Sequence, residues 1–100
     1  MRIFVTVIIL IFSIQSLSNA NQNLINSADN GDAIDQNNVG FGYLYGIGGF
    51  PQDTDKAIKY LNLAAAQDQV NAMTTVGWIY FTGEFGAPKD HDEAIYWNQR

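Results

Sequence analysis

The side chains best suited to catalysis are few in this chain. After position 20 it has one histidine, His91, one serine, Ser27, and no cysteine. A zinc site needs several ligands that converge, and a serine nucleophile needs a neighbouring base. His91 lies in the run Asp90-His91-Asp92-Glu93, and no second histidine is present to complete a metal set. The sequence therefore predicts no catalytic residue, no metal ligand and no cofactor, and it favours a protein that is not an enzyme.

Glycine-rich stretches and paired aspartates are a second kind of pattern that can bind ligands. The glycines of residues 40–49 do not have G-x-G-x-x-G spacing, and no phosphate-loop lysine follows them. Asp53-x-Asp55 and Asp90-x-Asp92 are too short for a calcium loop. Because these aspartate pairs recur at matching places, we interpret them as helix caps.

The strongest pattern in the sequence is an internal repeat with a period of 37 residues. The stretch from Val39 to Ile58 recurs from Val76 to Ile95, and ten of the 20 aligned positions are identical. An ungapped repeat of roughly 20 to 50 residues is typical of solenoids and other arrays. The predicted fold class is all-α, a short α-solenoid of two antiparallel helix-turn-helix repeats.

Two helices are predicted in each repeat. Gly40 and Gly77 recur inside the first helix, where a glycine costs about 1 kcal/mol relative to alanine, so a second backbone is expected to pack closely there. The second helix of the first copy has an apolar stripe at helical spacing, consisting of Ala57, Ile58, Leu61, Ala64 and Ala65.

The predicted helix ends are also repeated. Gly46 and Gly83 are expected to end the first helices in a left-handed conformation. Asp53 and Asp90 are expected to cap the second helices, and Glu93 is expected to complete a capping box with Asp90.

These residues resemble the Sel-one-like repeat family, which is related to the tetratricopeptide repeats. The matching residues are Val39-Gly40, Tyr43, Gly46, Asp53, Ala57, Tyr60 and Ala64-Ala65, then Val76-Gly77, Tyr80, Gly83, Asp90, Ala94 and Trp97. The resemblance covers roughly residues 24–100. It implies an N-terminal helical cap at 21–31, a first repeat at 32–68 and a second, C-terminally incomplete repeat at 69–100.

The first twenty residues have the pattern of a secretory signal peptide. Arg2 precedes an apolar run at residues 3–12, and Ser18-Asn19-Ala20 supplies small residues before a cleavage site after Ala20. The apolar run is shorter than the roughly 20 residues of a membrane-spanning helix. The expected location is the periplasm or the extracellular medium, or the endoplasmic reticulum lumen in a eukaryote, with no stable membrane insertion after cleavage.

Charge argues against nucleic acid as a partner. The full chain has 10 Asp and Glu against 5 Lys and Arg, for a net charge of −5. Binding to nucleic acid depends on cations that neutralise phosphates. An unidentified protein or peptide is the predicted partner instead.

A candidate partner-binding surface follows from stepping 100° per residue around the first helices, away from Gly40 and Gly77. Gly42 and Ile79 also fall on that predicted outer face. First-type helices of such arrays usually line the concave face. The candidate residues are Asn38, Phe41, Tyr45, Thr75, Trp78 and Thr82. The alternative is that Phe41 and Trp78 are buried between stacked repeats.

Three functions remain compatible with these patterns. The leading hypothesis is an exported adaptor or scaffold that binds a peptide or protein through its repeat surface. The alternatives are a cell-envelope hydrolase resembling the cysteine-rich secreted relatives, and a truncated repeat fragment without independent function. Apolar residues Ile95 and Trp97 are expected to be exposed at the open C-terminal end, where a homodimer could form.

Overall fold

The described part of the chain is built from helices and connecting loops. The computed structural model describes residues 7–8, 19–87 and 89–99, and no strand occurs within them. Residues 19–29 form α1, followed by α2 (Ala33–Tyr45), α3 (Thr54–Ala66), α4 (Val70–Thr82), a 3-10 helix (Glu84–Gly86) and α5 (His91–Gln99). Helix α2 packs on α3, α3 on α4, and α4 on α5. The all-α solenoid of two helix pairs is confirmed.

The predicted signal peptide, residues 1–20, falls almost entirely outside the described residues, so its cleavage stays a prediction. In the part that the structure describes, no helix is both long enough and apolar enough to cross a membrane.

Two glycines allow the helices of each pair to approach closely. A methyl group added at Gly40 would lie 2.6 Å from Cγ of Leu61, in α3. A methyl group added at Gly77 would lie 2.7 Å from Oδ1 of Asn98, in α5. The close packing predicted from the repeated glycine is therefore present in both repeats.

The loops are tied back to the first helix of each pair by the same bond. The N–H of Asp53 donates to the carbonyl of Tyr43, and the N–H of Asp90 donates to the carbonyl of Tyr80, both at 2.8 Å. Both aspartate side chains also accept first-turn N–H groups, as predicted. The expected capping box at Glu93 is wrong, because the N–H that it would bind is already used by Tyr80.

Left-handed residues end the first helix of each pair. Gly46 and Gly83 follow α2 and α4 with φ of 63° and 69°. The turn between α3 and α4 uses Asp68 in the same conformation, with φ of 64°. The predicted helix ends are confirmed, and aspartate replaces glycine where a short polar side chain tolerates positive φ.

The core lies between the helices and contains the predicted apolar stripe of α3. Every residue of that stripe is fully buried except Ile58, which is half-buried. Two assignments to the outer face are wrong, since Gly42 and Ile79 are buried. Gly42 faces the ring of Phe50 in the following loop, where an added methyl group would lie 2.5 Å from the ring.

Trp97 is also buried, against expectation, because it is the counterpart of Tyr60 and lies beside Gly77 within its own repeat. Ile95 is exposed, as expected.

Helix α1 packs against both helices of the first repeat. Ala28 is fully buried in the core, and Leu24 and Ile25 pack against it. The Nε2 amide of Gln36 donates to the carbonyl of Ala28 at 3.0 Å, which ties α2 to α1. The hydroxyl of Tyr60 in α3 donates to the carboxylate of Asp29 at 2.8 Å. These contacts hold α1 against both helices of the first repeat.

The Tyr60 contact predicts a specific loss of stability at alkaline pH. Burial, reinforced by the hydrogen bond to Asp29, raises the pKa of Tyr60 from 10.0 to about 12. The folded protein therefore keeps this proton between pH 10 and 12, while the unfolded chain releases it and is stabilised. We expect Tyr60→Phe to cost about 1 kcal/mol at pH 7 and to reduce the fall in stability above pH 10. Urea unfolding at pH 7 and across pH 9 to 11.5 measures both, and an unchanged alkaline slope in the variant would contradict the assignment.

A candidate protein-interaction surface

Two of the candidate aromatic residues lie on consecutive turns of α2. The rings of Phe41 and Tyr45 are stacked, with centroids 6.0 Å apart and an angle of 4° between their planes. Phe41 is half-buried and packs against the core, whereas Tyr45 is 52% exposed. Phe41 therefore packs against both the core and Tyr45, and the ring of Tyr45 is exposed to solvent. Phe41 is therefore neither fully exposed for binding nor fully buried between stacked repeats, the two alternatives drawn from the sequence.

The loop of the second repeat adds an aromatic residue that the sequence reasoning missed. The ring of Phe85 contacts Tyr45 edge to face, with centroids 5.5 Å apart. Phe85 has φ of 59°, and its repeat counterpart Gly48 has φ of 64°. A bulky residue with positive φ is strained, and such residues concentrate at functional positions. The available signal was a phenylalanine in a register where the first copy has glycine.

Phe85 also links the two repeats through its backbone. Its carbonyl accepts a hydrogen bond from the hydroxyl of Thr54, the first residue of α3. The second loop therefore contacts the first repeat through both the ring and the main-chain carbonyl of Phe85. This double attachment sets the position of the Phe85 ring over Tyr45.

Trp78 is held beside the same loop by polar contacts. Its indole N–H donates to the Glu84 carboxylate at 3.1 Å. The Thr82 hydroxyl donates to the carbonyl of Trp78 at 2.9 Å and accepts the N–H of Glu84 at 3.2 Å. Trp78 is 54% exposed, so its burial between stacked repeats does not occur in the described residues. We call Tyr45, Trp78, Glu84 and Phe85 together the aromatic strip.

The remaining candidates do not join the aromatic strip directly. Asn38 is exposed and lines a hollow of about 330 Å³ with Phe41, Leu24 and Ile47. Thr75 is half-buried, and its hydroxyl donates to the carbonyl of Asn71 within α4 at 2.8 Å. The six predicted residues therefore lie on more than one patch, since Tyr45 and Trp78 belong to the strip and Thr82 bonds to Trp78 and Glu84.

The polar residues weighed for catalysis have other contacts. The Ser27 hydroxyl donates to the Asp35 carboxylate, which belongs to the first turn of α2. The ring of His91 stacks on Phe81, with centroids 5.7 Å apart. Within residues 7–8, 19–87 and 89–99, no three His, Cys, Asp or Glu side chains cluster as metal ligands would. Both side chains therefore have structural contacts within the described residues.

Comparisons with known proteins agree with this architecture. The family model described as Sel1 repeat matches residues 33–69 and 70–100. A crystal structure of a Sel1 repeat protein from Oxalobacter formigenes is similar, with 33% sequence identity and a TM-score of 0.67. The similarity covers 78% of this chain and 57% of that one, so this chain spans just over half the length of that protein. No curated protein matches the chain.

Proposed function

The chain belongs to the Sel1 repeat family, and from this premise we propose that it is an exported adaptor whose aromatic strip binds a peptide or protein. Sel1 repeat proteins are generally helical scaffolds for protein–protein interaction, without catalytic activity. The observation that carries the proposal is the aromatic strip itself, in which Phe85 contacts the exposed Tyr45 edge to face and the preceding residue, Glu84, binds the indole of the exposed Trp78. Tyrosine and tryptophan are preferred anchors at interfaces, because they combine apolar area with a polar group.

The strip is fixed in place before any partner arrives. Phe41 supports the ring of Tyr45, the loop contact at Thr54 positions Phe85, and Glu84 orients Trp78. Side chains already ordered in this way lose less conformational entropy on binding. The strain at Phe85 supports the same reading, because a glycine there would form the loop at lower cost.

Charge indicates which partners fit the strip. Glu84 is the one charged member of the aromatic strip, and the full chain has a net charge of −5. A cationic side chain could lie over an exposed ring and interact with this carboxylate at the same time. Peptides that contain lysine or arginine next to apolar residues are therefore favoured over acidic ones.

The binding role predicts that peptides selected from a random displayed library bind the purified protein with dissociation constants in the micromolar range. Tyr45→Ala and Trp78→Ala are each expected to weaken this binding at least about 10-fold, a loss of about 1.4 kcal/mol. Isothermal titration with the selected peptide measures the change, and circular dichroism checks that helix content is unchanged.

Leu63→Ala is the matched control, because Leu63 is an exposed apolar residue on α3 outside the strip. Equal affinity for the wild type, both strip variants and the control would show that the strip is not part of the binding site. Failure to select any peptide would count against the adaptor role itself. Export is tested separately, by N-terminal sequencing of the mature protein for cleavage after Ala20.

A further inference from the structure

The turn between α1 and α2 contains the pair Asn30-Gly31, and this pair of residue types occurs nowhere else in the chain. Both residues are exposed, and Gly31 has φ of 106°. A methyl group added at Gly31 would meet no atom within 4 Å, so the space beside its Cα is open. The side-chain amide of Asn30 therefore lies in solvent next to a main-chain nitrogen whose residue has no Cβ to hinder an approach.

The main chain of this turn connects α1, α2 and the end of α3. The N–H of Gly31 donates to the carbonyl of Ala28 at 3.0 Å, and the N–H of Asp32 donates to the carbonyl of Ser27 at 3.2 Å. This pair of bonds is the Schellman arrangement, which ends a helix at a residue of positive φ. Asp32 is also the N-cap of α2. The carbonyl of Gly31 accepts the Nε2 amide of Gln67, the C-cap of α3, at 2.9 Å.

We propose that Asn30 is a site of spontaneous deamidation, and that the isoaspartate formed there releases α1 from the first repeat. The main-chain nitrogen of Gly31 attacks Cγ of Asn30, so that the N–Cγ bond forms and the Cγ–Nδ2 bond breaks. The side-chain amide leaves as ammonia and takes the proton of the Gly31 N–H with it. The product is a cyclic succinimide. Water then adds to either carbonyl of the ring and breaks its bond to nitrogen, which gives aspartate or isoaspartate.

The isoaspartate link disrupts this turn through the main chain and through charge. Its main chain runs through Cβ and Cγ, so the backbone lengthens just before Gly31, and the bonds of Gly31 to Ala28 and Gln67 lose their geometry. It also adds a carboxylate at the C-terminal end of α1, between Asp29 and Asp32, where the helix dipole and the neighbouring negative charges oppose it. The aspartate product adds the same charge without lengthening the main chain.

The fold controls the rate of the first step. In the folded protein the N–H of Gly31 is bonded to Ala28, so the attack requires a local opening of the turn. The end of a helix opens more readily than its interior. Asn26 is also followed by a small residue, but it lies inside α1, and its Oδ1 accepts the Nε2 amide of Gln22 at 2.9 Å. Asn30 is therefore expected to react first, and Asn26 is the comparison within the same helix.

Incubation of the purified full chain at mildly alkaline pH, followed by peptide mapping with mass spectrometry, tests the site. We expect deamidation at Asn30 ahead of Asn26 and every other asparagine, with isoaspartate among the products. Asn30→Gln is the control, because glutamine would form a larger ring and cyclises more slowly. No deamidation at Asn30, or equal deamidation at all asparagines, would overturn the proposal. The reaction is expected to be faster in urea, and an equal rate there would contradict protection by the bond to Ala28.

Hydrogen exchange measures the consequence for α1. The isoaspartate form, separated by chromatography, is expected to lose protection of the α1 amides, while the amides of α4 and α5 keep theirs. Asn30→Asp is the matched control, because it adds the charge without the longer main chain, and it is expected to lose much less protection. Equal protection of α1 in the isoaspartate form and in the unmodified chain would overturn the release of α1. Equal losses in the isoaspartate form and in Asn30→Asp would show that charge, and not the longer main chain, is responsible.

Discussion

Replacing Gly40 with alanine is expected to destabilise the fold by about 2 kcal/mol, whereas the same change at Gly77 is expected to be neutral or slightly stabilising. The added methyl group at Gly40 meets Cγ of Leu61, a fully buried side chain, and the backbone N of Leu61 is 3.3 Å away. The methyl group at Gly77 meets the end of the exposed Asn98 side chain, which can rotate away. Overpacking a core typically costs about 1 to 3 kcal/mol, while removing a helix glycine gains about 1 kcal/mol.

Urea unfolding of the two alanine variants beside the wild type measures the difference between these equivalent positions. The two changes have identical chemistry and the same repeat register, so each variant is the control for the other. Equal effects on the free energy of unfolding would show that helix propensity, and not contact with Leu61, decides the outcome.

The repeat made the helices and their ends predictable. Local structure depends on a few residues at fixed spacing, and these occur twice with the same offset. Gly46 and Gly83 end helices, and Asp53 and Asp90 begin them, because each supplies what an exposed helix end requires. The missing capping box shows the limit of this reasoning. A tertiary hydrogen bond to Tyr80 uses the N–H that Glu93 was expected to bind.

Face assignments were less reliable, because a helical wheel drawn from Gly40 or Gly77 accounts for one neighbouring helix. Gly42 is covered by Phe50 from the loop that follows, and Ile79 is covered within the core. Trp97 was expected to lie at an open end, yet it fills the position that Tyr60 fills in the first repeat. A residue with several neighbours is buried whichever face the wheel assigns to it.

The candidate surface was predicted in part, since Tyr45 and Trp78 are exposed as expected. Phe85 and Glu84 were missed because they lie in a loop, where side-chain direction depends on backbone conformation and not on a helical period. Aligning the two loops places Phe85 opposite Gly48. A phenylalanine at a loop position where the other copy has a glycine of positive φ is the signal that would have identified Phe85.

Leu44→Ala is expected to destabilise the protein by about 3 kcal/mol, within the roughly 2 to 5 kcal/mol seen for buried leucines. Leu44 is almost fully buried, while its counterpart Phe81 is more than half exposed. We therefore expect Phe81→Ala to cost about 1 kcal/mol or less. The larger side chain is thus predicted to have the smaller effect.

Chemical unfolding of both variants measures how much more the buried position contributes to stability than the exposed one. In an array, stability is the sum of terms within each repeat and terms between neighbours. Leu44 is buried in the core, whereas its counterpart Phe81 keeps more than half of its surface exposed and stacks on His91. Equal losses in the two variants would mean that burial of the side chain does not decide the difference between these equivalent positions.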